Sequence, residues 1–245
     1  MPKKTMKTVP LGQIHAVLRG QAVPCARPDG SPGGHSAIAK RPVAGPVRVG
    51  AEGLEGDEQG DRRVHGGPDK AVHQYALEHY AAWRADLGAL PVLDAPGAFG
   101  ENLASAGVTE ATLCWGDRVR IGSVLLEVAQ SRQPCWKLNL RFGHKDMARR
   151  LQDTGRTGWY WRVLEPGHLQ AGDTILLEGS WKALDLHLED PDVLVVNSPD
   201  LVRRQAVPMG AGAGVALVVL AALVTMLATG IVPPAVAGLD LKTPL

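Results

Sequence analysis

Apolar and polar residues alternate over short distances along much of this 245-residue chain, and alternation with a period of two marks a half-buried strand. Ile14-His15-Ala16-Val17-Leu18 has strand character. Arg27–Gly34 reads as a Pro/Gly loop, and Ala37-Ile38-Ala39-Lys40 resumes a strand that Pro42 restricts to an edge or an end. Arg118–Ala129 predicts a hairpin: Val119 and Ile121 alternate with polar residues, Gly122-Ser123 can turn the chain, and Val124, Leu126 and Val128 alternate back. Gly158–Val163 and Thr174–Glu178 predict two further strands. Helical spacing appears twice. Val72, Tyr75, Ala76, Tyr80, Trp83 and Leu87 fit one helix, with Asp69 able to cap its start. Met147, Ala148 and Leu151 fit another over His144–Asp153, ended by Gly155. Many short strands with two interspersed helices predict a mainly β, barrel-like domain with helical additions.

Beyond about Leu169 the texture changes. Trp181–Leu188 reads as an amphipathic helix and Val193–Val196 as a strand, so that with Thr174–Glu178 they make a small β-α-β segment. Such a unit is too small to fold alone and must pack on something. Between Arg204 and Asp240 lie 35 residues without a charge, and about 20 apolar residues suffice to cross a bilayer core. This stretch predicts one transmembrane helix over 209–232, stopped by Pro233-Pro234. Arg203 and Arg204 precede it, which by the positive-inside rule keeps the N-terminal part cytoplasmic and tethered to the membrane. The expected organisation is a disordered 1–10, a main domain over 11–178, a β-α-β remnant or linker over 179–208, the span at 209–232, and a tail at 233–245.

Composition narrows the function. The formal net charge is +1, without the broad cationic footprint of a nucleic-acid binder. The 29 glycines and 18 prolines suit short strands joined by many turns. Three cysteines, Cys25, Cys114 and Cys135, form no CxxC pair, which argues against a disulfide framework and against a Cys-built zinc or iron–sulfur site. A reducing compartment fits. The basic Met1–Lys7 is followed by no long apolar stretch, so no secretory signal is expected.

The chemistry concentrates in Ser131-Arg132-Gln133-Pro134-Cys135-Trp136-Lys137, which leaves the strand-like Val124–Ala129. Cationic neighbours favour a thiolate, the form that attacks or ligates a metal, and the proline ends strand pairing and fixes where the cysteine points. The alternative is an inert buried cysteine. Three glycine-rich turns add a second signal: Gly53-Leu54-Glu55-Gly56-Asp57, His65-Gly66-Gly67-Pro68-Asp69-Lys70, and Gly97-Ala98-Phe99-Gly100-Glu101-Asn102-Leu103. Such turns can present backbone N–H groups to anions. With Lys40, Arg132 and Cys135 they suggest a pocket for a phosphorylated cofactor that also presents a soft metal to a thiolate. A metal site made only of side chains is not expected: no HxxxH or HExxH occurs, and His73 and His79 fall on different faces of the expected helix. His15, His144, His168 and His187 read as structural or solvent-facing, and Ser131 has no evident triad partners.

Together, Gly53–Asp57, Val64–Val72, Phe99–Leu103, Gly116-Asp117 and Ser131–Leu138 resemble the MOSC domain. Ser36–Lys40 and Thr154–Trp159 place the chain nearest its YiiM-like group. The resemblance covers about 11–178. It implies a β-barrel-rich fold that binds the molybdenum cofactor, with Cys135 as the protein thiolate to molybdenum. The implied catalytic residues are Cys135, Arg132 and His65. The cofactor would be held by Lys40, Gly56, Asp57, His65, Gly66, Gly67, Asn102, Arg132 and Cys135. The implied reaction reduces small N-hydroxylated compounds, such as hydroxylaminopurines, to amines. A pyridoxal phosphate site is a further expectation carried by the family.

Thiolate is a soft ligand suited to such a metal. The chain has neither cysteines for an iron–sulfur cluster nor a GxGxxG motif, so an external electron-donating reductase is expected as partner. The oligomeric state is not legible. Two alternatives stay open: a module of the same fold that holds an anionic cofactor or sulfur carrier without turnover, or a membrane-tethered fragment without transport activity. The tail prompts the last, since Leu169–Gly179 is similar to the end of a TrkA-C domain. Asp192–Ser198 and the 230–238 run are similar to the first membrane helix junction of divalent anion/sodium symporter-family transporters.

Overall fold

The longest strand, β1 (Lys7–Arg19), joins the two ends of the domain. After it come β2 (Val23–Ala26), β3 (Pro32–Ser36), β4 (Arg41–Val43), β5 (Val47–Gly50), β6 (Gly53–Leu54), a one-turn helix α1 (Arg62–His65), β7 (Val72–Ala76), α2 (Glu78–Leu87) and β8 (Leu103–Ala106). The hairpin β9 (Arg118–Ile121) and β10 (Val124–Ser131) leads to α3 (Lys137–Phe142) and α4 (Met147–Thr154), and then to β11 (Trp159–Glu165), β12 (Gly167–Leu169) and β13 (Thr174–Gly179). This computed structural model describes residues 7–179 and, beyond them, Thr225 alone.

Seven strands, in the order β13-β9-β10-β11-β7-β8-β1, close into a barrel because β1 pairs back onto β13, and β4 adds to β1 outside the ring. Only β7 and β8 run parallel; the other ring pairs are antiparallel. β1 serves two neighbours by bending: its register shifts between Pro10 and Gly12 against β13. A Cβ at Gly12 would lie 2.1 Å from the Ala106 carbonyl oxygen, so the close approach of β8 there requires glycine. Val17, Val72, Val119, Leu126, Trp161 and Ile175 belong to one buried apolar cluster, as expected of the interior of a small barrel. A second core lies outside the ring, where α2, α3 and α4 pack Tyr80, Trp83, Phe142, Met147 and Leu151 around Tyr75 and Phe99. Those two rings stack with centroids 4.1 Å apart.

The expected helix beginning at Asp69 is two elements. Val72–Ala76 is strand β7, buried at every position because β11 and β8 flank it and side chains cover both faces. A strand buried on both faces shows no alternation, so its apolar run imitates helical spacing. Asp69 caps nothing and instead accepts a hydrogen bond from Arg162 Nε at 2.7 Å. Ala37–Lys40 is not a strand: the Lys40 N–H turns back to the Ile38 carbonyl at 3.0 Å, while Pro32–Ser36 pairs with β2 across the expected loop. Residues 7–10, expected to be disordered, pair with 176–179. Thr174–Gly179 belongs to the barrel and not to a separate β-α-β unit. Among the described residues no helix is long and apolar enough to cross a membrane. The expected span at 209–232 apart from Thr225, the 179–208 linker beyond Gly179 and the tail lie outside them.

Candidate active site

β10 ends at Ser131, and the chain turns through Arg132–Trp136 before α3 begins. Arg132 is tied to the barrel wall by its N–H, which donates to the Gly158 carbonyl at 3.0 Å. Cys135 is half-buried and carries a free thiol. It stands where two chambers meet. The inner chamber runs between Lys40, Asp57, His73, Asn102 and Arg132 and has a volume of about 80 Å³. The outer one, about 520 Å³, reaches the β2–β3 hairpin and Trp136. Gly60, His65, Lys70, Cys135, Lys137 and Tyr160 border both. The outer chamber has the several hundred Å³ typical of a ligand pocket, and the inner one extends it as a small polar recess.

The floor of the inner chamber is an ion pair shut away from water. Lys40 Nζ donates to both Asp57 oxygens, at 2.5 and 2.6 Å, with the side chains 7% and 3% exposed. Asp57 also accepts from the Gly20 N–H and from Asn102 Nδ2, each at 2.8 Å. Asn102 Oδ1 accepts the His73 N–H at 3.1 Å, so one amide links β7, β8 and the Asp57 turn. Burial lowers the Lys40 pKa, and Asp57 opposes that fall. Lys40 thus lines the chamber with its charge already compensated.

Arg132 is different. It is 6% exposed, and its Nη1 has no hydrogen-bond partner. A buried guanidinium nitrogen left unmatched is costly unless a ligand completes it. His73 is 4% exposed with its Nε2 unpartnered. Burial first, and the Arg132 charge second, hold its pKa well below the ordinary value, so it is neutral at pH 7. His65 is lowered by burial and then by Lys137, Arg132 and Lys70, which places those three cations around one space. Burial raises the Tyr160 pKa; the nearby Arg132 opposes the rise and Cys135 adds to it. Tyr160 therefore stays a neutral O–H donor beside the thiol. The walls carry a soft sulfur donor, several cations and a neutral histidine. Among the described residues no group of three His, Cys, Asp or Glu side chains could hold a metal by itself.

Of the residues singled out in the sequence, Cys135, Arg132, His65, Lys40, Asp57 and Asn102 come together here. Gly56, Gly66 and Gly67 do not line either chamber. Gly56 is a left-handed turn packed against Arg19, and Gly66 packs on Arg62. Lys137 was read only as a cation favouring the Cys135 thiolate, and His73, Tyr160 and Lys70 were given no role in the site. His73 was hidden by the helix reading of β7. Lys70 and Lys137 sit in the two motif segments and could have been taken from them. Tyr160, within a correctly expected strand, gave no local signal of which face meets the thiol.

The MOSC domain family matches residues 61–176. YiiM of Escherichia coli (strain K12) is 44% identical over 146 residues, 60% of this chain and 64% of that protein. The crystal structure of YiiM from Geobacillus stearothermophilus superposes with a TM-score of 0.54 at 33% identity, covering 68% of this chain and 74% of that one. The chain belongs to the MOSC family, in its YiiM-like group. A protein named "Reductase" from Gibberella moniliformis (strain M3125 / FGSC 7600) is 41% identical over 183 residues, 72% of this chain but 32% of that protein. The chain thus spans under two thirds of the length of these curated relatives. In this MOSC domain Leu169–Gly179, likened above to a transporter segment, supplies β13 and its approach, so the transporter resemblance is not supported there; its remaining residues lie outside those described. Neither the comparisons nor the site supports the pyridoxal phosphate expectation.

Proposed function

We propose that this MOSC protein binds the molybdenum cofactor and reduces small N-hydroxylated compounds, hydroxylaminopurines among them, to amines. The observation that carries this reading is Cys135 at the meeting of two chambers, beside a buried Arg132 whose Nη1 lacks a partner. The residues fit the group. A thiolate suits a soft metal, and an unmatched guanidinium suits the anionic end of a phosphorylated pterin. Cys135 would hold the metal, and Arg132, with Lys70, Lys137 and His65 around it, the anionic part. Asn102, Lys40 and Asp57 would form the floor.

When bound, the cofactor would supply the two-electron chemistry that removal of oxygen from an N–OH group requires. The chain positions that group and manages its protons. Conversion of R–NH–OH to R–NH2 and water consumes two electrons and two protons. The neutral Tyr160 hydroxyl beside Cys135 can donate a hydrogen bond to the departing oxygen. His65 borders both chambers, and burial with the surrounding cations keeps it neutral, so one ring nitrogen can donate a hydrogen bond while the other accepts one. Electrons come from an external reductase.

Full-length protein made in cells with intact cofactor biosynthesis should contain near-stoichiometric molybdenum and reduce 6-hydroxylaminopurine with reduced viologen as donor. Cys135→Ala should lose both. A metal-free wild type, or an equally loaded and active Cys135→Ala, overturns the reading; normal loading without reduction favours a cofactor-binding module instead.

A further inference from the structure

The β2–β3 hairpin forms a sheet of its own, paired with no other strand among the described residues. It is stiff within itself. At its tip the Arg27 N–H donates to the Ser31 carbonyl at 2.8 Å, and Asp29 Oδ1 accepts from the Ser31 N–H and Oγ at 3.0 and 2.7 Å. Its base is tied down: the Ala22 N–H donates to Glu58 Oε2 at 2.7 Å, and Lys137 Nζ donates to the His35 carbonyl. Gly60 comes so near that a Cβ there would lie 2.2 Å from the same carbonyl oxygen. Beyond the base, no hydrogen bond joins residues 24–34 to anything outside the hairpin among the described residues. What they meet is the half-buried indole of Trp136. A Cβ at Gly33 would lie 2.7 Å from its Cη2, and the Arg27 guanidinium stands 5.4 Å from its ring centroid, within cation–π range. An arm rigid in itself, tied at one end and resting on one side chain at the other, opens at far lower cost than the domain unfolds.

This arm supplies part of the wall of the outer chamber through Arg27, Gly33, Gly34 and His35, and the cysteine loop supplies another part. The chamber's cations come from separate elements: Arg27 from the arm, Lys70 from the glycine turn and Lys137 from α3, with Asp61 the one acid among its described lining residues. Like charges converging on one space hold apart the elements that carry them, and an anion between them draws those elements together. We propose that the β2–β3 hairpin is a latch on the outer chamber, with Trp136 as its catch: it lifts to let the cofactor in, and closes as Arg27 and Lys137 converge on the anionic part of the bound group. This rests on the proposed cofactor reading, with the outer chamber as the cofactor's side. The coupling runs both ways, since a ligand that favours the closed arm is held more tightly by it. Loosening the catch at Arg27 should therefore cost cofactor retention without touching Cys135 or Arg132.

Amide hydrogen exchange of the full-length protein follows the arm directly and needs no turnover. In cofactor-free protein the paired amides of 23–36 should exchange faster than those of the β9–β10 hairpin. Inorganic pyrophosphate, the probe for the anionic part, should slow them, and molybdenum-loaded protein should slow them further. Arg27→Gln should speed exchange of the arm roughly 2- to 5-fold, and Trp136→Ala roughly 5- to 30-fold. Unchanged exchange of β9–β10 establishes that both variants fold. Both should keep less molybdenum than the wild type after gel filtration. A folded Trp136→Ala whose arm exchanges as in the wild type overturns the latch, as does an arm that exchanges equally with and without pyrophosphate and cofactor. Metal content separates the two readings. Loaded protein whose arm exchanges as it does in free protein overturns the latch and leaves the enzyme standing. An arm that Trp136→Ala loosens and pyrophosphate tightens, in protein unable to hold molybdenum, overturns the cofactor reading and leaves a latch that closes on another anion.

Discussion

Replacing Asp57 with Asn should produce an instability that alkali repairs. The substitution removes the carboxylate to which the Lys40 ammonium, on a side chain 7% exposed, donates. It also forces one amide oxygen to serve where two carboxylate oxygens accepted from the Gly20 N–H and Asn102 Nδ2. Breaking a buried pair while leaving one charge behind costs ~3–5 kcal/mol. A bound comes from the lysine itself. Holding it neutral at pH 7, against an ordinary value of 10.5, costs about 5 kcal/mol at about 1.4 kcal/mol per pH unit. The sign follows from proton counting. With Lys40 depressed in the folded variant, the unfolded chain binds one more proton between the folded value and 10.5, so stability rises with pH. Moving from pH 7 to 9 should return up to about 2.7 kcal/mol. The wild type, whose Asp57 opposes the depression, should gain less. Lys40→Met should be milder, because Asp57 keeps its two other donors. Urea unfolding followed by tryptophan fluorescence at both pH values is the assay. A loss for Asp57→Asn that is under 1 kcal/mol, or unchanged by pH, would refute the reasoning, as would a larger loss for Lys40→Met.

His73, neutral because its folded pKa lies well below 6.5, should make the domain acid-sensitive: below pH 6.5 the unfolded chain gains a proton the folded one refuses. Stability should then fall by up to about 1.4 kcal/mol per pH unit, and unfolding curves of His73→Gln between pH 7 and 5 should show a shallower fall. Iodoacetamide should label Cys135 and Cys25 in cofactor-free folded protein while sparing the buried Cys114, and cofactor binding should protect Cys135 alone; peptide mass spectrometry distinguishes the three. Glu110 accepts from the Gly158 N–H at 2.6 Å and contacts His79 Nε2 at 2.6 Å, and the Gly158 carbonyl holds the Arg132 backbone. Glu110→Ala should cost ~1–3 kcal/mol and speed hydrogen exchange at the Gly158 and Arg132 amides, whereas a change confined to α2 would contradict that linkage.

Local chemistry was legible and long-range geometry was not. The β9–β10 hairpin, β11 and β13 followed from alternation, because each has one face in the barrel and one toward solvent or a second layer. The Cys135 segment followed from residue type and its Pro-broken exit from a strand. β7 misled because burial on both faces erases the alternation, and its loss as a strand concealed His73. Tyr160 could not be assigned, since whether its side chain meets Cys135 depends on how β11 registers against β10, a pairing between segments separated by two helices. The glycine turns were overread: Gly56, Gly66 and Gly67 are shaped by packing on Arg19 and Arg62 or by a left-handed φ, while the side chains beside them, Asp57 and His65, reach the chamber.

The pairing of Lys7 with Gly179 sets an order of events during synthesis. The first strand leaves the ribosome long before its partner exists, and every intermediate length of nascent chain exposes an unpaired edge on β1. Closure must wait until the last strand has emerged, which makes folding slow for a domain of this size and leaves a window for edge-to-edge association. Chains released just before Thr174 should accumulate as aggregates, whereas in a permuted chain that joins the two ends and opens at the Arg27–Ser31 turn β13 and β1 would emerge one directly after the other, so that neither edge waits for its partner.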